Sequence, residues 1–260
     1  IASRTLVTPS PSPAASTFGW WDTAGVSGAD FTDTRAHHVH AHLARAWDAG
    51  FFDDLVTPYL GVTRDTILRP DTSVEKLAAL KPVFGDTMTA GNSTALTDGA
   101  AAVLLAEQGW DEANGLPALA RVVDAQVAAV DHPGGDDLLL APAHAVARLL
   151  DRHGMALGDF ELYELHEAFA STVLATLKAW ESAEFCSTRL GLSAPLGPID
   201  TDRLNITGSS LATGHPFAAT GARIVATAAK LLHERGSGAR GLVSVCAAGG
   251  QGVVAILEAV

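Results

Sequence analysis

The 260-residue chain is poor in basic residues, cysteines, aromatics and long apolar runs, and each shortage removes a class of function. Seventeen Lys and Arg against 29 Asp and Glu leave a net charge of −12. That balance argues against nucleic acid or an anionic membrane as partner, since both need clustered cations. No apolar stretch approaches the roughly 20 residues that cross a bilayer, so membrane insertion is not expected. The opening "IASRTLVTPSPSPAAS" lacks the apolar centre of a signal peptide. Two cysteines, Cys186 and Cys246, cannot build a disulfide framework, which makes a reducing cytoplasm the default location. The chain starts at Ile1 rather than Met, which hints at a fragment. What is present is Ala, Val, Leu and 25 glycines, the composition of an α/β protein able to bury one large core or two ordinary ones.

Residues 1–30 are rich in Pro, Ser, Thr and Gly, hold the pair Trp20-Trp21, and read as loop. "DTRAHHVHAHLARAWDAG" (33–50) reads as a helix stopped by Gly50, "DDLVTPYLGV" as a short strand, and "RPDTSVEKLAALKPVF" as a turn leading to a short helix that ends at Pro82. "TMTAGNSTALTDGAAAVLLAEQ" is a small-residue loop running into a buried apolar run, strand or helix by pattern alone. From about Leu116 strands and helices alternate. "ALARVVDAQVAAV" and "FELYEL" read as strands and "APAHAVARLLDRHG" as a helix closed by Gly154. The stripe Phe169, Val173, Leu177 and Trp180 marks another helix and puts His166 in its first turn. An irregular connection (181–203) leads to a helix marked by Ile224, Val225, Ala228, Leu231 and Leu232, and "GLVSVCAAGGQGVVAILEAV" closes the chain as two strands around a glycine hairpin. The alternation implies α/β architecture, helices layered on a parallel or mixed sheet.

Three short motifs sit at strand ends or helix starts, where open α/β sheets place their ligands: "ELHEAF" (164–169), "GHP" (214–216) and "CAAGGQG" (246–252). Two histidines and a thiol there form an acid/base and nucleophile set beside free backbone N–H groups. Taken singly, each has a plain structural reading. Cys246 after "LVSV" is an inert buried thiol, His166 a locally bonded helix residue, His215 a turn histidine, and "GGQG" a hairpin. Their joint appearance in this order favours chemistry. His38 and His42 stand at metal-compatible i, i+4 spacing but lack a carboxylate or thiol beside them, so no metal is expected. Asp53-Asp54 and Asp136-Asp137 read as solvated turns.

The blocks "TAGNSTALTDGAAAVLL", "ELHEAFA", "NITGSSLATGHPFAATGARI" and "VCAAGGQG" resemble four successive signatures of the thiolase family, which cleaves or forms the carbon–carbon bond of 3-ketoacyl-CoA. His166, where many thiolases carry Asn, is most similar to the fatty-acid β-oxidation branch that includes trifunctional-complex β subunits. The resemblance implies the layered α-β-α-β-α thiolase fold, of which this chain carries the C-terminal portion. Residues 1–86 would be part of the loop domain covering CoA, 87–115 the end of the N-terminal domain and 116–260 the C-terminal domain. It implies His215 as the histidine that activates the nucleophile and donates to the substrate oxygen, and His166 as holder of a catalytic water in the same oxyanion hole. Cys246 is implied as the general acid/base, Ala248 as the source of a backbone N–H in a second oxyanion hole, and Ser93 and Thr94 as part of the loop along the CoA pantetheine. An acid/base thiol would be tuned from near 8.5 toward neutrality by His and N–H donors, and the small residues around His215 would admit the pantetheine arm.

One part of that machinery is missing. Thiolases carry a second, acyl-accepting cysteine ahead of the region matched here, and Cys186 in "AEFCSTRLGL" corresponds to no such position. Arg35, Arg45, Arg64, Arg69 and Lys76 lie in the stretch that would cover CoA, with none singled out for its phosphates. The resemblance implies a CoA-dependent acyltransferase without a bound cofactor, a homodimer or tetramer, and for the β-oxidation branch a hydratase/dehydrogenase α subunit as partner. Two readings compete with it: an inactive thiolase-fold subunit that binds CoA thioesters or serves as scaffold, and a Cys–His hydrolase using Cys246.

Overall fold

The structure, a computed structural model, describes residues 29–134 and 138–260. The loop reading of the N-terminal stretch through residue 28, with its tryptophan pair, and that of Asp136-Asp137 fall outside the described residues. The first half holds α1 (Ala29–Asp48), α2 (Val74–Ala78), the small hairpin β1 (Pro82–Phe84) and β2 (Met88–Thr89), and α3 (Trp110–Asn114). The second holds β3 (Ala120–Ala129), α4 (Ala141–His153), β4 (Leu162–Leu165), α5 (Ala170–Glu181), α6 (Ala183–Thr188), α7 (Ser210–Thr213), α8 (Thr220–Arg235), β5 (Arg240–Ala247) and β6 (Gln251–Ala259).

The main sheet runs β3-β6-β5-β4, with β4 parallel to β5 and the other two pairings antiparallel. β5 is buried along most of its length, and successive residues serve opposite faces. Leu242 packs with α4 and α5, in a core that includes Val146, Leu149, Leu150, Val173 and Trp180. Val243 packs with Leu162, Leu257 and the Ile224, Ala228, Leu231 and Leu232 stripe of α8. Helices therefore cover both faces of a mixed sheet, which places every strand end and motif loop in a fixed frame. A third cluster forms where α1 lays Ala36, Val39, Leu43 and Ala46, spaced for one helical face, against Ala170, Leu211 and Ala212.

Several local readings need correcting. Residues 53–62 form turns rather than a strand, because Leu60 and Gly61 take positive φ (48° and 82°) and close a tight Tyr59–Val62 bridge. The apolar run around 100–106 is neither helix nor strand, and Leu104 and Leu105 are each 72% exposed. A periodic pattern buries a segment only if some surface opposes it, and none does among the described residues. α5 begins at Ala170 with Phe169 as its extended N-cap, so His166 lies on the strand-to-helix loop, not in the helix. The 181–203 connection contains α6, capped by the Ser182 hydroxyl, and Cys186 within it is fully buried. Asp54 is not merely solvated: Lys230 of α8 pairs with it. No helix among the described residues is long and apolar enough to cross a membrane.

Trp180 is wholly buried, and its indole N–H has no hydrogen-bond partner among the described residues. Trp180→Ala should cost about 3–5 kcal/mol through the cavity it leaves. Trp180→Phe, which deletes the orphan donor along with some volume, should cost under about 1.5 kcal/mol. Chemical denaturation of both variants checks this ordering.

Candidate active site

The site is assembled by the loop after β4, residues 166–169, lying between two neighbours. On one side the His166 N–H donates to the Ser244 carbonyl of β5 at 2.8 Å. On the other, Thr94 N–H donates to the Ala168 carbonyl at 3.0 Å, and Ser93 bridges to Phe169. The 93–96 segment then continues to the second histidine, where His215 N–H donates to the Ala95 carbonyl at 2.8 Å. Gly214 makes this approach possible. Its φ of 84° belongs to glycine, and a Cβ there would lie 2.4 Å from Thr97 Cγ2 and 3.2 Å from the Ala95 carbonyl oxygen. Gly208 is similar, with a φ of 81° and a Cβ position 2.9 Å from the Leu43 backbone. Close packing of the protein on itself is thus a sufficient reason for these two glycines.

Behind the loop stands a buried polar knot. Glu167 is fully buried, and its Oε1 accepts from Arg35 Nε at 3.0 Å, from Arg35 Nη2, and from Asn205 Nδ2 at 2.8 Å. The Asn205 amide also receives Leu165 N–H at 2.8 Å and donates to the Leu165 carbonyl at 2.9 Å, extending the end of β4 like an added strand residue. Asn92 makes a second clasp, donating to Thr32, Asp33 and the Thr87 carbonyl while its own carbonyl receives the Ala170 N–H that opens α5.

His166 and His215 come together, with ring centroids 4.3 Å apart and planes at 46°. His166 is nearly buried, with Nδ1 2.7 Å from the Ser210 hydroxyl. His215 is half-buried, its Nδ1 2.6 Å from Thr220 Oγ1 and its ring edge-on to Phe217. Burial lowers both imidazoles, His166 to about 3 with His215 and Arg223 adding to the effect, so His166 is neutral at neutral pH. Cys246 ends β5 and shares a small crevice with His166, Leu165, Ser244, Pro142, Thr172 and Val173. It is 6% exposed; the glycine turn exposes Ala247 and Ala248 instead. Burial drives the Cys246 thiol up to about 12, opposed only by backbone donors including Ala168 N–H. The expectation of a thiol tuned toward neutrality is therefore wrong: desolvation outweighs the donors, and a neutral His166 supplies no compensating charge.

Ser93 and Thr94 lie on the segment that joins the two histidine loops, their hydroxyls donating to the Thr89 and Ser210 carbonyls. Four of the five cations between Arg35 and Lys76 named above are engaged within the chain: Arg35 with Glu167, Arg64 with Asp48, Lys76 with Asp71, and Arg69 with the Thr66 and Ile67 carbonyls. Arg45 is exposed. His38 is exposed, while His42 Nδ1 donates to the Asn205 carbonyl at 3.1 Å. No group of three potential metal ligands occurs among the described residues. The sequence reading missed Glu164, Glu167, Asn205, Ser210, Thr220 and Arg223. All lie inside or beside the quoted motifs, and only their partners, 38 to 132 positions away for Glu167, show what they do.

Residues 116–259 match the family described as thiolase, C-terminal domain, and residues 29–109 the family described as thiolase, N-terminal domain. The chain belongs to the thiolase family. It is 41% identical over 235 residues to a 3-ketoacyl-CoA thiolase of Serratia proteamaculans and 43% identical over 235 residues to that of Aeromonas salmonicida, each alignment covering 87% of this chain and 53% of the relative. The chain thus spans about half the length of these curated relatives. Among solved structures it resembles the acetyl-CoA acetyltransferase of Bacillus anthracis (31% identity, TM-score 0.76) and human mitochondrial 3-ketoacyl-CoA thiolase (28%, 0.75). Each covers 94% of this chain and 59% of the solved one. The α/β fold is that of the thiolases.

Two buried groups make folding depend on pH with opposite signs. Folded His166 stays neutral down to about 3, whereas an unfolded histidine protonates near 6.5, so stability is lost as pH falls from 6.5 toward 3. Glu164 is fully buried with both oxygens unpartnered among the described residues, and burial raises it from 4.5 to about 8 against the pull of Arg223. Folded Glu164 therefore holds its proton where the unfolded residue has lost it, and stability is lost as pH rises from 4.5 toward 8. Glu164→Gln should gain on the wild type by roughly one kcal/mol per pH unit across that second window, read from denaturation midpoints between pH 4.5 and 8.

Proposed function

We propose that this chain supplies the acid/base and oxyanion part of a thiolase that cleaves 3-ketoacyl-CoA with CoA to acetyl-CoA and a shortened acyl-CoA, or runs the reverse condensation. The observation that carries the reading is the close, tilted His166–His215 ring pair beside the buried Cys246. Cys246, His215 and His166 are the proposed catalytic residues, with the Ala248 N–H as donor in a second oxyanion hole and the Ser93–Thr94 segment lining the CoA arm. The relatives named 3-ketoacyl-CoA thiolase support the substrate class.

In cleavage, a cysteine thiolate on a segment other than residues 1–260 attacks the 3-keto carbon, and His215 Nε2 has taken its proton. For that, His215 keeps its hydrogen on Nδ1, donated to Thr220. The C2–C3 bond breaks, its electron pair passes to the thioester enolate, and imidazole N–H groups hold the enolate oxygen. Cys246 then gives its proton to C2. A thiol raised to about 12 is fully protonated in the resting enzyme, which suits the donor role. The resulting Cys246 thiolate takes the proton of the incoming CoA thiol, and CoA sulfur displaces the acyl group from the nucleophilic cysteine, restoring both thiols. Domain limits at 86 and 115, a homodimer or tetramer, a hydratase/dehydrogenase α subunit as partner, CoA as substrate rather than resident cofactor, and a cytoplasmic location belong to the same proposal.

The reading of an inactive, CoA-thioester-binding or scaffold subunit has one observation in its favour: both cysteines of the chain are buried, so neither offers an accessible nucleophile. The hydrolase reading loses its nucleophile for the same reason. The test is thiolysis of 3-ketoacyl-CoA by the chain alone and by the chain assembled with a cysteine-bearing N-terminal thiolase half. The chain alone should be inert. The assembled protein should be active, and His215→Ala should lower its kcat/KM by about 10²–10³. Cys246→Ser should stall turnover while acyl-enzyme still accumulates on the other cysteine, as read by mass spectrometry. Activity of the 260 residues alone, or an acyl group found on Cys246, overturns the scheme.

The exposed Leu104 and Leu105, with Leu96 and Phe217 more than 70% exposed near the site, form apolar surface that favours self-association. The isolated chain should therefore oligomerise in light scattering, and the double change Leu104→Glu, Leu105→Glu should reduce it.

A further inference from the structure

Ser210 opens the short α7, and its hydroxyl is fully buried between two groups that neither the motifs nor the proposed chemistry assigns a role together. Arg223 Nη2, from the first turn of α8, lies 3.1 Å from Ser210 Oγ, and His166 Nδ1 lies 2.7 Å from it. A guanidinium has donors only, so Arg223 must donate to a lone pair of the hydroxyl. The Ser210 hydroxyl hydrogen then needs an acceptor, because a buried donor left unpaired is costly. Among the described residues the acceptor in reach is His166 Nδ1. If His166 instead carried its hydrogen on Nδ1, two donors would converge on one hydroxyl and the Ser210 hydrogen would be stranded. The neighbouring cation also polarises the Ser210 O–H, making it a better donor to the imidazole.

We infer that Arg223 and Ser210 are positioning residues that hold His166 in the tautomer with Nδ1 bare and Nε2 protonated, so that a neutral imidazole presents a fixed N–H donor. Arg223 is itself drawn by the acidic groups Glu167 and Asp65, which links the tautomer to the polar knot behind the loop. The chemical consequence rests on the thiolase reading: a histidine in an oxyanion hole works only as a donor, and the opposite tautomer would point a lone pair at developing negative charge. Burial keeps the second nitrogen from being protonated at neutral pH, so among the described residues the Arg223–Ser210 chain is what selects the nitrogen that carries the hydrogen.

The test is magic-angle-spinning 15N NMR of the histidine-labelled chain, which tolerates self-associated protein, with the His166 signals assigned by their loss in His166→Asn. Bare and protonated ring nitrogens resonate far apart. The expected result at neutral pH is a bare Nδ1 in the wild type and in Ser210→Thr, and a mixture of tautomers in Ser210→Ala. A hydrogen on His166 Nδ1 in the wild type overturns the inference whatever the variants do, as does an unchanged tautomer in Ser210→Ala. In the assembled enzyme, Ser210→Ala should lower kcat by roughly tenfold or more with KM little changed, and Ser210→Thr should restore it. A tautomer shift that leaves kcat untouched would overturn the positioning role. The expected tautomers in an assembled protein that cleaves no thioester would instead defeat the thiolase reading and leave the assignment of the hydrogen intact.

Discussion

The Glu167 carboxylate holds the site together. It is fully buried, carries the Arg35 guanidinium on one oxygen, and shares that oxygen with the Asn205 amide. A carboxylate removed from water persists only with strong partners, and removing one of them leaves an uncompensated buried charge. Arg35 comes from α1, Glu167 from the loop after β4, and Asn205 from the approach to α7. Three distant segments are thereby drawn to one point, and the histidine loops can occupy only the space left around it. The ion pair matters less as net stability than as a device that makes one arrangement of those loops compatible with burial.

Around that knot the protein keeps its two imidazoles neutral by excluding water, without placing a carboxylate against either ring. The same exclusion acts on Cys246 in the opposite sense, holding its proton in place. Desolvation thus yields a weak base and a reluctant acid side by side, a combination suited to handing protons to and from carbon when a substrate closes the site. It also explains why a sequence-level expectation of a neutral-range thiol fails. Motif identity reports which residues meet, whereas the direction of a pKa shift follows from how much water remains around them.

Much of this architecture was legible in the residues. α4, α8 and the β5–β6 hairpin show their periods plainly, and the three motif loops fall at strand and helix ends as their glycine content suggests. Where the reading failed, the cause was a missing or unexpected partner surface. The apolar stretch around Leu104 has the composition of a buried element yet lies exposed, and α5 starts four residues beyond His166 because Phe169 caps it in extended conformation. Asn205, Ser210 and Arg223 stood in full view within the longest motif, but nothing in one dimension distinguishes a serine that caps a helix from one that hands a hydrogen to an imidazole.

The sequence by itself determined the family, the α/β class, and the three short motifs at strand and helix ends, because each depends on local pattern and on residue types at fixed spacing. Only the tertiary structure decided that the His166 and His215 rings meet, that Cys246 is buried, and that Glu167, Asn205, Ser210 and Arg223 form the frame behind them. Those outcomes depend on distances between segments up to 132 positions apart and on the water they exclude, and neither quantity exists until the chain has folded.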